Sequence, residues 1–295
     1  MKKKVLITGI NGLLGSAIFN LFVKYTNFEL FGVGRSQRSS LGLKVYFQGD
    51  ICDLDFLKKI SEYKYDFIIH CAAIVNLDTC ESNYNLAEKT HIIASKNLAF
   101  FNPSSVYFYI STDSVFDGSN IRNTEEDIPK PLNNYALTKY LGGEEVRKIH
   151  KSSYELRVNL YGFNTPSGSS LFEWAYQELK DNKEIKGYDN VYFNPLYTRQ
   201  IAEIIMEFIN YLPPFGIYNL GSNGGLSKFD FVVRVADLFN LNRKLAYRFK
   251  AEFSQNGIKR PYNTILNTQK LKKIFPSLDL SLDSGLLMLK DDLEN

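Results

Sequence analysis

Residues 109–139 read YISTDSVFDG, then an acidic, proline-containing connection, then NNYALTK. Within it Tyr135 and Lys139 stand four apart, so on a helix they share one face. A phenol beside an ammonium makes an acid. The cation favours phenolate and is expected to lower the tyrosine pKa from about 10 toward the working range of an acid catalyst. Such a tyrosine can protonate a carbonyl oxygen as hydride reaches the carbon, and the Thr112 hydroxyl can hold the same oxygen. Thr112, Tyr135 and Lys139 are therefore the catalytic candidates. The spacing alone is common on helices, so its meaning rests on the elements that must position it.

Residues 106–110 are β-branched or aromatic, as a buried parallel strand requires, and Ser111, Thr112, Asp113 and Ser114 end that run with polar groups. The strand thus delivers hydroxyls at its carboxyl end, where ligands bind in open α/β sheets. Pro131 closes an extended segment, and Asn133 or Asn134 can cap the helix carrying Tyr135 and Lys139.

Near the start, Val5, Leu6 and Ile7 form a short strand, followed by TGINGLLG and the helical pattern Ala17, Ile18, Leu21, Phe22. Strand, glycine turn and helix start occur in the order a phosphate cradle needs. Gly9, Gly12 and Gly15, with Asn11, Leu13 and Leu14 between them, are the expected cofactor turn. A second strand over residues 28–33 leads to Arg35, whose guanidinium fork suits a 2′-phosphate. NADP(H) is favoured, with NAD(H) the alternative. A third strand over residues 45–47 runs into Asp50, placed to accept from an adenine amino group, while Asp53 suits a helix cap. A fourth over residues 66–70 ends in Cys71, Ala72 and Ala73, small enough for a ligand to approach the backbone. Residues 81–101 then show helical spacing throughout.

This repeated β-α-β order predicts an α/β protein: a Rossmann-type doubly wound parallel sheet with a smaller, discontinuous α/β substrate-binding domain. Residues 1–160, with part of about 191–211, are expected to bind NADP(H), and 161–295 mainly the substrate. Residues 154–158 read as a sixth strand, 164–170 as a mobile loop, 171–179 as an amphipathic helix, 201–211 as a helix packing back on the sheet, and Ser227 as the cap of a helix from Lys228.

Composition narrows the partners. The chain has 295 residues, 44% of them hydrophobic, enough for a large core. Its net charge of +3, from 35 basic and 32 acidic residues, gathers in no block beyond Lys2–Lys4, so nucleic acid and membrane are not expected partners. No apolar run approaches the roughly 18 residues of a membrane span. A cytoplasmic protein is expected. Three cysteines and three histidines lack metal spacing, and no metal is expected.

TGINGLLG, GRS, GDICD, CAA, YISTDSVFDG and YALTK, in that order, resemble the extended short-chain dehydrogenase/reductases. More narrowly, STDSVFDG, Glu125-Glu126-Asp127 before PLNNYALTK, LGGEE, LRVNLYG and Arg260-Pro261 resemble the dTDP-4-dehydrorhamnose reductase family. The resemblance implies Tyr135 as proton donor, Lys139 as its partner and holder of the nicotinamide ribose, and Thr112 beside them. It implies Asp50 and Ile51 at the adenine, Cys71, Ala72 and Ala73 at the nicotinamide side, and Val75, Thr112, Asp113, Ser114, Leu160 and Arg260 at a nucleotide-sugar substrate. Three positions depart from the family pattern. His91 stands where many relatives have asparagine, Leu160 where tryptophan is common, and Ser114 where tyrosine is common. The implied activity is NADPH-dependent reduction of a keto group, at C4 of a deoxysugar, in polysaccharide precursor synthesis. An epimerase or dehydratase on the same scaffold, or a non-catalytic NADP(H)-binding regulatory subunit, are the alternatives, and a homodimer is compatible with each.

Overall fold

The computed structural model describes residues 2–38, 41–164, 168, 170–253 and 257–294. Thr165, Pro166, Ser167 and Ser169 of the expected mobile loop lie outside the described residues.

The strands, in chain order, are β1 (Lys4–Thr8), β2 (Glu29–Gly34), β3 (Val45–Gln48), β4 (Phe67–His70), β5 (Val106–Thr112), β6 (Ser153–Val158), β7 (Leu160–Tyr161), β8 (Ile185–Tyr188), β9 (Tyr192–Phe193), β10 (Leu196–Tyr197), β11 (Gly216–Leu220), β12 (Leu226–Ser227) and β13 (Ala246–Phe249). Seven of them pair in parallel in the order β11-β6-β5-β4-β1-β2-β3. Chain order reverses between β1 and β4, and that crevice, at the carboxyl ends, is where such a sheet takes ligands. Alternate residues of each strand feed two cores, as a period of two dictates. Val5, Ile7, Phe108 and Tyr154 pack on one face, and Leu6, Phe31, Ile68 and Tyr107 on the other. This is the Rossmann-type doubly wound sheet that the β-α-β order predicts.

The helices are α1 (Leu13–Tyr25), α2 (Leu54–Ser61), α3 (Leu77–Ser82), α4 (Tyr84–Glu88), α5 (Ala94–Phe101), α6 (Asn134–Ile149), α7 (Leu171–Lys180), α8 (Thr198–Tyr211), α9 (Lys228–Leu238), α10 (Gln269–Ile274) and α11 (Leu282–Glu294). The apolar face of α8, with Ile201, Ile205 and Phe208, joins the core that α1 covers. The strand β11 then returns to the sheet beside β6. A separate apolar cluster of Tyr161, Phe172, Phe193, Phe231, Leu282 and Leu286 gathers α7, α9 and α11, beside the two-stranded pairings β7–β10, β9–β12 and β8–β13. Among the described residues no helix is long and apolar enough to cross a membrane.

Two local expectations are corrected. Residues 81–101 are not one helix: the Asn83 side chain accepts from Leu86 N–H and starts α4 afresh after α3, and a π-helical turn over Lys89–Ile93 separates α4 from α5. The strand β5 runs past Ile110 to Thr112, because β6 continues alongside and pairs Ser111 with Arg157 and Thr112 with Val158. The caps follow the sequence signals. Asn133 accepts from Ala136 N–H, Asp53 from Asp55 and Phe56 N–H, and Ser227 from Asp230 N–H.

Candidate active site

The turn between β1 and α1 is built by steric necessity. Gly9 has φ +64°, and a Cβ there would lie 2.8 Å from Ala72 N and Cα, so the β4 exit loop packs directly on the turn. A Cβ on Gly15 would overlap Gly9 O and lie 2.9 Å from Ile10 Cα. Only glycine lets α1 begin so close. Gly12 caps α1 with no side-chain bond, and the first turn holds no acidic residue. The first amides are therefore free to receive an anion. Leu13 stands half-buried at the start of α1, whereas the Leu14 side chain is core and offers only backbone. The Asn11 side chain turns away, donating to Ser36 O, Ser36 Oγ and the Tyr46 hydroxyl, and Arg38 donates to Ile10 O at 3.1 Å while lying over the Phe19 ring. Together they clamp the loop after β2.

Beyond that clamp a cavity of ≈ 470 Å³ is lined by Gln37, Arg38, Tyr46 and Gln48. Arg35 is exposed beside it and holds its carbonyl toward Gln48 Nε2. Asp50 spends one carboxylate oxygen on Cys52 N–H. The side chain of Ile51 is 6% exposed in the second core, so any contact with a ligand there falls to its backbone.

The carboxyl ends of β4 and β5 face this turn. Thr112 stands close enough to the Tyr135 hydroxyl to ease its pKa shift, while its own hydroxyl donates to Asp113 Oδ1 at 3.2 Å and accepts from Ser114 N–H at 3.2 Å. The pair of glycines in α6 explains how that helix comes so near: a Cβ on Gly142 would strike His91 O and the Tyr109 hydroxyl, and one on Gly143 would lie 2.6 Å from Glu155 Oε2. Tyr109 donates to Lys139 O at 2.9 Å and fixes the helix on the strand. Lys139, 3% exposed, has Nζ 4.2 Å from the centre of the Tyr109 ring. Behind it sits buried Glu155, paired with Arg147 and, at 3.3 Å, with buried Arg157.

The electrostatics correct one expectation. Burial pushes Tyr135 up to about 12, eased by the nearby Thr112 hydroxyl and reinforced by Asp113 and Cys80. Burial lowers Lys139 to about 8, opposed by Cys71 and Glu155. Desolvation sets the direction, and the expected lowering by the neighbouring amine does not appear. Tyr135 thus holds its proton at neutral pH, the state an acid must start from. Burial likewise pushes the Cys71 thiol to about 12, so it is an inert neighbour.

Asp113 is buried and raised by burial, eased by Thr264 nearby and by hydrogen bonds from Asn159, Thr112 and Ser114. Burial lowers the Lys228 amine, eased by the Asp113 carboxylate and reinforced by the Arg260 guanidinium, so these three groups lie near one another. Ser114 braces Asp113 at 3.3 Å. Ala72 and Ala73 are half-buried on the turn side, and Val75 is exposed at the rim. Leu160 packs against the first core and pairs with Leu196, which leaves part of its surface open. Asn159, Thr264 and Lys228 were not legible from the sequence. Asn159 sits one residue before Leu160 in LRVNLYG, and nothing marks the other two.

A glycine cradle at a switch point, with hydroxyl, phenol and buried amine across it, defines the scaffold of an extended short-chain dehydrogenase/reductase. The model described as the RmlD substrate binding domain matches residues 2–282. The chain belongs to that family, the family of the dTDP-4-dehydrorhamnose reductases. Among solved structures, a dTDP-4-dehydrorhamnose reductase from Clostridium acetobutylicum superposes with a TM-score of 0.86 at 27% identity, covering 99% of this chain and 100% of that one. The Bacillus anthracis dTDP-4-dehydrorhamnose reductase in complex with NADP shares the fold at a TM-score of 0.84 and 24% identity, covering 99% and 100%. The methionine adenosyltransferase 2 subunit beta of Rattus norvegicus is 30% identical over 282 residues, 92% of this chain and 82% of that protein.

Proposed function

We propose that this protein reduces the keto group, at C4, of a nucleotide-activated deoxysugar, with NADPH as reductant, in the synthesis of polysaccharide precursors. The observation that carries the reading is the placement of Thr112, at the carboxyl end of β5, beside Tyr135 and buried Lys139 on α6, with the β4 exit loop packed on the glycine turn. The turn fits a dinucleotide: its glycines leave room for a pyrophosphate, and the amides of α1 have no competing cap. Gly9, Gly12 and Gly15 with the Leu13 and Leu14 amides would hold the phosphates, Arg35 the 2′-phosphate, Asp50 the adenine, and Cys71 to Ala73 the nicotinamide side. The bound coenzyme supplies a hydride.

The rest is protein chemistry. Thr112 and Tyr135 point hydrogen-bonding hydroxyls at one carbonyl oxygen, and Tyr135 gives its proton to the alkoxide that develops there. The Lys139 charge stabilises the phenolate left behind. Asp113, braced by four neighbours, accepts from sugar hydroxyls, and Lys228 with Arg260 faces a diphosphate. Apart from Asp113, this second wall comes from residues 161–295, which mainly serve the substrate.

A second reading has an observation of its own. Relatives at 30% identity carry the name of a subunit of methionine adenosyltransferase, and a protein of this fold can keep its site while serving a partner chain. The experiment is the purified protein with NADPH or NADH and a dTDP-4-keto-6-deoxysugar, followed by absorbance of the reduced nicotinamide. Consumption that is faster with NADPH supports the reductase. Coenzyme binding without consumption or change of the sugar supports the subunit, and epimerisation or loss of water from the sugar without net consumption supports an epimerase or dehydratase respectively.

A further inference from the structure

Buried His70 and His91 take no part in the proton transfer above, yet both lie under the site. Their hydrogen bonds fix their tautomers. Ile74 N–H donates to His91 Nε2 at 2.9 Å, so the ring proton sits on Nδ1. That proton faces Thr138 Oγ1 at 2.8 Å, which in turn donates to Asn134 O at 2.7 Å and Tyr135 O at 3.2 Å. Ser95 Oγ donates to His91 O at 2.7 Å and therefore accepts from His70 Nε2 at 2.9 Å. His70 Nδ1 accepts from Thr8 Oγ1 at 2.7 Å, and Thr8 Oγ1 receives Ala72 N–H at 3.3 Å.

Donors and acceptors thus run in one sense from Ile74 in the β4 exit loop through the His91 ring to the first turn of α6, and separately from Ala72 through His70 and Ser95 to the His91 carbonyl. The π-helical turn over Lys89–Ile93 brings His91 into this place, and Gly142 lies against its carbonyl. The His91 ring also stands edge-on to the Tyr135 ring, centres 5.9 Å apart at 84°.

We propose that His91 is a positioning residue: a neutral imidazole protonated on Nδ1 that fixes the loop around Ile74 and the Tyr135 ring at one separation. The catalytic consequence rests on the reading of Tyr135 as proton donor; the placement does not. Supporting it, burial and the Lys139 ammonium lower both His70 and His91 to about 3, so neither charges near neutral pH.

Long-range proton–nitrogen NMR of the three imidazoles between pH 5.5 and 8.5, assigned with His70→Gln, His91→Gln and His150→Gln, reads the tautomers directly. His91 is expected to be Nδ1-protonated at every pH. His70, and His150 with Nε2 at 3.1 Å from Asn102 O, are expected to be Nε2-protonated. An Nε2-protonated His91, or one that titrates in that range, overturns the proposal. Next, His91→Phe keeps a ring beside Tyr135 and removes both hydrogen bonds, whereas His91→Gln keeps an acceptor and a donor. The phenylalanine variant should lose at least tenfold in kcat, with KM for the sugar nucleotide within threefold. Its Ile74 amide should exchange at least tenfold faster, and glutamine should recover both to within threefold of wild type. Wild-type kcat and Ile74 protection in His91→Phe would overturn the proposal. If the wild-type protein consumes no NADPH with any keto-sugar nucleotide, the reductase reading falls, while the tautomer and Ile74 exchange still decide the placement of His91.

Discussion

Substituting Gly15 by alanine tests how tightly the cradle is built. In a helix interior alanine is favoured over glycine by about 1 kcal/mol, so propensity alone predicts a more stable protein. The new Cβ, however, would overlap Gly9 O and lie 2.9 Å from Gly9 C and Ile10 Cα, all backbone atoms without a rotamer to change. Overpacking of that kind costs about 1–3 kcal/mol. Set against each other, the two effects leave a net loss of stability of no more than about 2 kcal/mol and a folded protein. Strain relief requires the turn to move off the start of α1, which takes its amides out of line with a phosphate. Losing one hydrogen bond to a charged group removes about 1.5–3 kcal/mol of binding, or a weakening of about 10- to 100-fold. Fluorescence titration with NADPH gives the affinity, and urea unfolding gives the stability. Gly224→Ala is the control: φ +86° strains the backbone, yet nothing lies within 4 Å of the new Cβ, so stability falls while affinity holds. Affinity within twofold of wild type in Gly15→Ala would refute the steric argument.

Two further outcomes follow from the buried charges. Glu155→Gln leaves buried Arg157 without its carboxylate and should lower unfolding free energy by about 3–5 kcal/mol in urea titration; a loss under about 1 kcal/mol would mean the pair is not held as described. Lys139 carries its charge in both folded and unfolded chains below pH 8, at a desolvation penalty on the order of 3 kcal/mol in the fold, since burial lowers it from 10.5 to about 8. Between pH 8 and 10.5 the unfolded chain binds more protons at this site, so stability from this group rises with pH. The stability advantage of Lys139→Met is therefore expected below pH 8 and should narrow through that window. An advantage that is flat with pH would contradict the assignment.

Much of the site was legible because its signals are local. TGINGLLG declares a strand, a turn and a helix start within eight residues, and Y-x-x-x-K declares a shared face. What escaped depends on depth or on distance along the chain. Spacing shows that Lys139 neighbours Tyr135, but not that both are desolvated, which reverses the expected direction of the tyrosine shift. Leu14 and Ile51 sit in motif positions, yet their side chains complete cores that only the folded sheet reveals. Asn11 is claimed by Ser36 and Tyr46, 25 and 35 residues on. Thr264 and Lys228 reach Asp113 from more than a hundred residues away. His91 was visible only as an unusual residue in a helical run, because a π-helical turn has no sequence period of its own.

The most direct measurement is turnover by Tyr135→Phe. The substitution removes one hydroxyl and leaves the ring beside His91, so coenzyme and sugar nucleotide should still bind. With a dTDP-4-keto-6-deoxysugar, NADPH consumption should fall at least a thousandfold, the order of general-acid catalysis, while NADPH affinity stays within threefold. Consumption within tenfold of wild type would show that the proton comes from elsewhere.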